Sequence, residues 1–327
     1  MAILETIELA LLAGLLFLCA GAVAGAIAYP RLRGWLGRIV PATRANVLLL
    51  LAGLPVLAAI LFTALVFLPG ELGTRGFVDH CTEHPGHVHL CLVHHPPLDQ
   101  GLVGWAAALL ALVALVAAAV RQGRRLLRSA RAVQSLRHLA DRPADDALWN
   151  VIEADAPLSA TAGLLRPAVY LSSGFLRAVD ADVLEVVRAH ERAHVRRLDP
   201  LRQVVAAVLA LAHLPRTRCA LLNDLALAVE QASDEEAARL VGDRERVARA
   251  VLAVERVLAA NPPASDLIAA SFGGSHVKVR VESLLSEAQW KTPRGFKAWL
   301  TVSAVVLVLA ASSLHHATET LLNWLTR

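Results

Sequence analysis

Four stretches of this sequence contain no charged side chain and are long enough to cross a lipid bilayer as helices: Leu9 to Pro30, Ala45 to Gly70, Gln100 to Val120 and Ala298 to Thr318. Such runs leave few folds open, because in hydrocarbon every backbone N–H and C=O must be bonded internally, and a helix does that. Composition agrees. Of 327 residues 56% are hydrophobic and 18% charged, with a mean hydropathy of +0.52, too apolar for a soluble domain of this length. The first run reads as a retained span rather than a secretory signal, since its N-terminal flank carries Glu5 and Glu8 and no Lys or Arg. Pro55 inside the second run predicts a kink rather than a break. A fifth run, Gln203 to Pro215, is too short to cross and is expected in a core or against the membrane surface.

Arginine placement orients the spans. Arg31, Arg33, Arg38 and Arg44 follow the first span, and Arg121, Arg124, Arg125, Arg128 and Arg131 follow the third. Arg294 and Lys297 precede the fourth, while the connection Glu71 to Asp99 carries only Arg75. Positive residues stay inside, so both termini and the 71–99 loop face out, and the region from about Arg121 to Lys297 faces the cytoplasm. Three parts follow: a three-span block (1–120), a cytoplasmic domain (121–297), and a last span with a short external tail (298–327). The net charge of +4 reflects this cytoplasmic bias, and no recognition helix or aromatic-basic pattern points to direct nucleic-acid binding. Arg121 to Arg142 alternates basic and apolar residues at helical spacing, either continuing the third helix or resting on anionic lipid headgroups. Short strands are expected at Trp149 to Ile152 and Ala168 to Leu171, then helix almost throughout from Asp182 to Val257.

The chemistry concentrates in AHERAHVRRLDP. His190 and His194 are four apart, which on a helix sets both imidazoles on one face, able to bind a single Zn²⁺ at about 2.0–2.1 Å. Glu191 is rotated off that axis, where a carboxylate can take a proton from an attacking water. Asp182 with Glu185 resembles a capping box, and Pro200 ends the run. Catalytic zinc needs a third protein ligand. Downstream, AVEQASDEEAARLVG offers Glu230 as that ligand and, one turn later, Asp234 as a carboxylate that fixes a ligand imidazole, on a helix expected to stop near Gly242. A solvated acidic face that includes Glu235 and Glu236 is the other reading of this segment.

The order GLLRPAVYLSSGFL, AHERAHVRRLDP, EQASDEEA and VRVESLL resembles the BlaR/MecR-type antirepressor metallopeptidases of bacteria. The ExxxD element is similar to that of the HtpX-like membrane proteases. The resemblance covers Trp149 to Leu285 and the pattern of three spans before the domain and one after. It implies a four-span α-helical integral membrane protein of the bacterial inner membrane, with a cytoplasmic α+β, gluzincin-like metallopeptidase domain. It also implies one catalytic zinc on His190, His194 and Glu230, Glu191 as general base, Asp234 behind the ligands, and a cytoplasmic repressor or the chain itself as substrate. Relatives that sense β-lactams carry a penicillin-binding domain after the last span; this chain stops at Arg327, so β-lactam sensing is not expected. In such folds an edge strand receives the substrate by β-augmentation, and by analogy Ala168, Val169, Tyr170 and Leu171 take that role, a purely structural strand being the alternative. Tyr170, His213 and His276 are candidates for stabilising the oxyanion.

One concentration of residues lies outside that resemblance. Asp79 to Pro97, DHCTEHPGHVHLCLVHHPP, holds six of the thirteen histidines and two of the four cysteines. The close spacing of His80, Cys81, His84, His87, His89, Cys91, His94 and His95 lets a short external loop fold around a second metal ion, zinc or copper. A Cys81–Cys91 disulfide and a proton-sensing histidine cluster are two further readings, and all three stay open. Cys19 and Cys219 read as small buried residues. The expectation is a membrane zinc metalloendopeptidase that cuts a cytoplasmic repressor when the external loop registers a signal, with membrane lipid as a partner and homo-oligomerisation left open. A constitutive quality-control protease and a non-proteolytic metal-binding receptor are its rivals.

Overall fold

The computed structural model describes residues 2–74, 102–141, 148–260, 276–286, 290 and 311–325. The first two apolar runs fold back on each other across a four-residue turn, residues 37–40, between helices α1 (Ala2–Leu36) and α2 (Pro41–Thr74). Gly14 meets Thr63, Phe17 meets Phe62 with ring centroids 5.4 Å apart, and Gly21 meets Pro55. One number rises as the other falls, so the helices run antiparallel. A Cβ on Gly21 would lie 3.0 Å from Pro55 Cα; small residues are what let the two backbones approach. The stretches Ala10–Leu36 and Pro41–Phe67 are long and apolar enough to cross a membrane.

Helix α3 (Leu102–Leu139) takes up the third apolar run and the basic stretch after it as one element. At 1.5 Å per residue its 38 residues span about 57 Å, well beyond the ~30 Å of a bilayer core. Of the fourth apolar run only the end is described, in the C-terminal helix Ala311–Leu325, where His315 Nδ1 donates to the Val66 carbonyl of α2 at 2.5 Å. The loop residues His80, Cys81, His84, His87, His89, Cys91, His94 and His95 lie outside the described residues.

A four-stranded sheet follows α3: β1 (Ala140–Asp141), β2 (Trp149–Ile152), β3 (Ser159–Ala162) and β4 (Ala168–Ser172), in spatial order β1-β2-β4-β3. β4 pairs in parallel with β2 and antiparallel with β3. This corrects the assignment of Ala168 to Leu171 as an edge strand: both sides of β4 are already paired, leaving no free ladder for a substrate. β1 and β3 are the two edges, and β3 is the one that lines the cleft described below. Its hairpin to β4 turns at Gly163, whose φ of 109° lies in the region that favours glycine.

After the short helix α4 (Ser173–Ala178), five helices complete the described domain: α5 (Ala181–Arg197), α6 (Asp199–Leu209), α7 (Pro215–Val241), α8 (Arg244–Ala260) and α9 (Val277–Leu285). α5 is capped by Asp180, which accepts from the Val183 amide at 2.8 Å, two residues earlier than the expected capping box. Asp182 and Glu185 instead pair with Arg246 of α8. Val169, Leu171 and Phe175 pack the sheet onto Val187 of α5, and Val186 joins a second core with Ala237, Val247 and Val251. The run Gln203 to Pro215 packs in a core: Ala206 and Ala210 are buried with Leu221 and Leu225 of α7 against Tyr29, Leu36, Leu48 and Ala52 of the α1–α2 pair. Cys19 and Cys219 are exposed rather than buried.

Candidate metal centre and catalytic cleft

Helices α5 and α7 lie side by side and antiparallel. His190 meets Asp234, His194 meets Glu230, and Arg197 reaches the Val229 carbonyl. Two residue pairs, each four apart, thus face each other one helical turn at a time. The His190 and His194 Nε2 atoms are 3.0 Å apart, and the Glu230 oxygens lie 3.5 Å and 3.6 Å from them. All three ligand atoms fall within 4.8 Å of one another. A tetrahedron with bonds of about 2.0–2.1 Å has edges of about 3.3–3.4 Å, so the trio fits three corners around a divalent ion with a fourth left open.

The rings are fixed from behind. Asp234 Oδ1 is 3.0 Å from His190 Nδ1, and Asp199 Oδ2 is 2.8 Å from His194 Nδ1. Each carboxylate only accepts, so in the neutral ring Nδ1 carries the proton and the Nε2 lone pair is left for the metal position. Asp199 reaches His194 through an unusual turn. Leu198, between α5 and α6, sits at φ 53° and ψ 42°, a left-handed conformation that costs a leucine about 1–2 kcal/mol, and it swings Asp199 under the second histidine. Arg197 completes the arrangement, donating to Asp199 at 2.7 Å and to Ser233 at 2.5 Å.

Arg280 of α9 closes the acidic side, donating to Asp234 at 2.8 Å and 2.7 Å and lying 2.9 Å from Glu230. Burial would raise the Glu230 and Asp234 carboxyls, but the Arg280 guanidinium, helped by His190, holds both below the usual carboxylate range. Burial alone would lower His190, yet its hydrogen bonds to Asp234 and Glu230 push it up to about 9. Asp199 is also raised by burial and then held low overall by His194 and Arg197.

Glu191 is buried on the cleft side of α5, where β3 holds both of its oxygens. Ser159 Oγ donates to Oε1 at 3.2 Å, and Thr161 Oγ1 donates to Oε2 at 2.5 Å. The cleft is a cavity of about 550 Å³ whose walls include β3, the two histidines, Glu230 and Arg280. Across it Gln122, Leu126, Ser129 and Val133 line up at helical spacing on one face of α3. Tyr170, His213 and His276 do not line it among the described residues. Tyr170 is buried in the middle of the sheet and His213 lies against α2. The sequence reading missed Asp199, Arg280, Ser159 and Thr161. Of these, Asp199 had a local signal, as the one acid in the RRLDP that follows the second histidine, and Arg280 lies in the VRVESLL segment that carries the resemblance.

Two imidazoles and a carboxylate converging on one point, with a second carboxylate held off it in a cleft, define a metallopeptidase-type centre. The chain matches the family described as BlaR1 peptidase M56 over residues 98–284 and belongs to it. Its members are membrane-bound, metal-dependent peptidases, and the two apolar N-terminal helices agree with membrane association. No curated protein and no solved structure matches the chain.

Proposed function

We propose that this chain is a zinc metalloendopeptidase of the bacterial inner membrane that cuts a cytoplasmic protein, a transcriptional repressor, when its external histidine-cysteine loop registers a signal. The observation that carries the reading is the ligand trio His190, His194 and Glu230, with both imidazoles tethered by carboxylates and Glu191 poised in the adjoining cleft. Two nitrogens and one carboxylate with an open position suit zinc better than calcium or magnesium, which prefer all-oxygen shells. When bound, zinc supplies Lewis acidity to the scissile carbonyl and to the attacking water.

The chain's own residues do the rest. Glu191 takes the water's proton and passes it to the leaving amine, while Ser159 and Thr161 keep its carboxylate from turning away. Asp199 and Asp234 hold the imidazoles in the tautomer that ligates. The Leu158 carbonyl bonds inward to the Ser172 amide, so by strand alternation the backbone groups of Ser159 and Thr161 face the open edge. They offer a ladder on which an extended substrate segment lies across the cleft.

The test is cleavage of a candidate repressor, encoded beside this chain, by the full-length protein in lipid nanodiscs. Wild type is compared with Glu191→Gln and with a chain whose six loop histidines are changed to Ala. Signal-dependent cutting that Glu191→Gln abolishes and the loop change uncouples supports the reading. Cutting that ignores the loop makes the protein a constitutive protease, and no cutting by wild type overturns the assignment.

A further inference from the structure

Pro55 has no N–H, so in α2 the Leu51 carbonyl, four residues earlier, loses its helical donor. That carbonyl is bonded nonetheless: His213 Nε2 lies 3.0 Å from it. The imidazole arrives from the turn between α6 and α7, 162 positions away in sequence, and is buried against α1, where a Cβ on Gly25 would come within 3.2 Å of the ring. On the other flank a Cβ on Gly53 would lie 3.4 Å from Leu209 Cδ1. A glycine on each helix and a proline-freed carbonyl thus make a notch that the α6–α7 turn fills. Because a carbonyl only accepts, Nε2 carries the ring proton.

The notch lies within the spans. Gly25 is six residues before Arg31 and Leu51 seven after Arg44, so along both helices it sits about 9–11 Å on the apolar side of the arginines. Apolar side chains around the turn, Val205, Val208 and Leu214, are exposed, as lipid-facing residues would be. From this turn α7 runs about 22 Å to Glu230. On the way it is gripped again by the same helix pair: Asp224 accepts from Tyr29 at 2.7 Å and from Arg33 at 2.6 Å and 2.7 Å, and Gln231, next to Glu230, accepts from Arg44.

We propose that His213 is a positioning residue for the metal centre: by capping the carbonyl that Pro55 frees, it seats the α6–α7 turn inside the bilayer and sets where α7 presents Glu230. The proposal rests on the membrane metallopeptidase reading for its metal readout and on geometry alone for its depth readout. It makes the spans part of the active site's frame, so that a change in how α1 and α2 pack shifts the third ligand directly.

The experiment uses the full chain in lipid vesicles and compares wild type with His213→Leu, His213→Gln, Pro55→Ala and the double variant Pro55→Ala/His213→Leu. Pro55→Ala is the informative partner. It restores the helical donor to Leu51, which turns the carbonyl back along the helix axis, and it keeps the Cα and Cβ of the buried residue 55 that face Gly21 while adding a helix hydrogen bond. Zinc affinity is read by chelator competition. Depth is read by quenching of a fluorophore at position 214 with tail-brominated lipid, in a chain whose native cysteines are Ser.

For the loss of one hydrogen bond, zinc binding should weaken roughly threefold to tenfold in His213→Leu and in Pro55→Ala, and the double variant should be no worse than either single one. Quenching should fall in all three and persist in His213→Gln, whose amide still donates. Single variants within twofold of wild type on both readouts, or effects that multiply in the double variant, would overturn the proposal. A wild type that binds no zinc sinks the peptidase reading instead, and the quenching arm still decides the role of His213.

Discussion

Replacing Asp199 by Asn should weaken zinc binding by about tenfold to a hundredfold, the range seen when a carboxylate behind a ligand histidine is lost; that corresponds to about 1.4–2.8 kcal/mol. Several features set the size. Asp199 is only 1% exposed, so water cannot stand in for it. Its Oδ2 holds the His194 Nδ1 proton at 2.8 Å and at the same time binds Arg197 at 2.7 Å. Asparagine keeps the shape but removes the charge, which leaves Arg197 with Ser233 and the Val229 carbonyl and makes the His194 lone pair a poorer donor. The Asp199 carboxyl is held below its ordinary value in the fold, so its stabilisation is present above about pH 4 and lost as pH falls through the depressed value; the comparison belongs at neutral pH. The assay is competition with a fluorescent zinc chelator, with Asp155→Asn as control because that carboxylate pairs with Arg177 in full exposure. Zinc affinity within twofold of wild type in Asp199→Asn would refute the reasoning.

The proposed general base should respond to its strand. Thr161→Val removes the hydroxyl on Glu191 Oε2 at nearly constant volume, and turnover of a peptide reporter should fall about tenfold with KM and zinc content unchanged. Zinc binding should depend on pH because His190 is raised to about 9 in the metal-free fold. Its contribution to stability is complete below about pH 6.5 and disappears as pH rises through about 9, so zinc affinity should climb by up to tenfold per pH unit from about 7 and flatten above 9; isothermal titration in buffers of different ionisation heat would show the released proton. Gly163→Ala should destabilise the β3–β4 hairpin by about 1–3 kcal/mol, since φ is 109° and a Cβ would meet the Arg166 carbonyl at 2.8 Å, and limited proteolysis should cut first between residues 159 and 168.

What could be read from the sequence is what lies on one helix. The four-residue spacings His190–His194 and Glu230–Asp234 each fix a shared face, and the helix stop at Gly242 follows from glycine's tolerance of positive φ. What could not be read depends on strand order and helix register. Ala168 to Leu171 looks like any strand in isolation, and only the parallel pairing of β2 with β4 makes it interior. Arg280 comes from 46 residues beyond Asp234 and Ser159 from 32 before Glu191, distances at which spacing carries no signal. From the sequence His213 is a candidate for the oxyanion and Pro55 an expected kink; the structure puts His213 outside the cleft, on the Leu51 carbonyl. Their partnership appears only once α6 and α7 are seen against α1 and α2. The capping box was read two residues late because Asp182 with Glu185 mimics it, while Asp180 makes the bond.

The central claim, a zinc centre on His190, His194 and Glu230 that Glu191 makes catalytic, is tested most directly by elemental analysis paired with turnover on one set of full-length proteins. Wild type and Glu191→Gln should each carry about one tightly held zinc outside the histidine-cysteine stretch 79–97, with turnover only in wild type, and a His190→Ala/His194→Ala chain should carry none there. Zinc retained at that position by the double variant, or wild-type turnover in Glu191→Gln, would contradict the account.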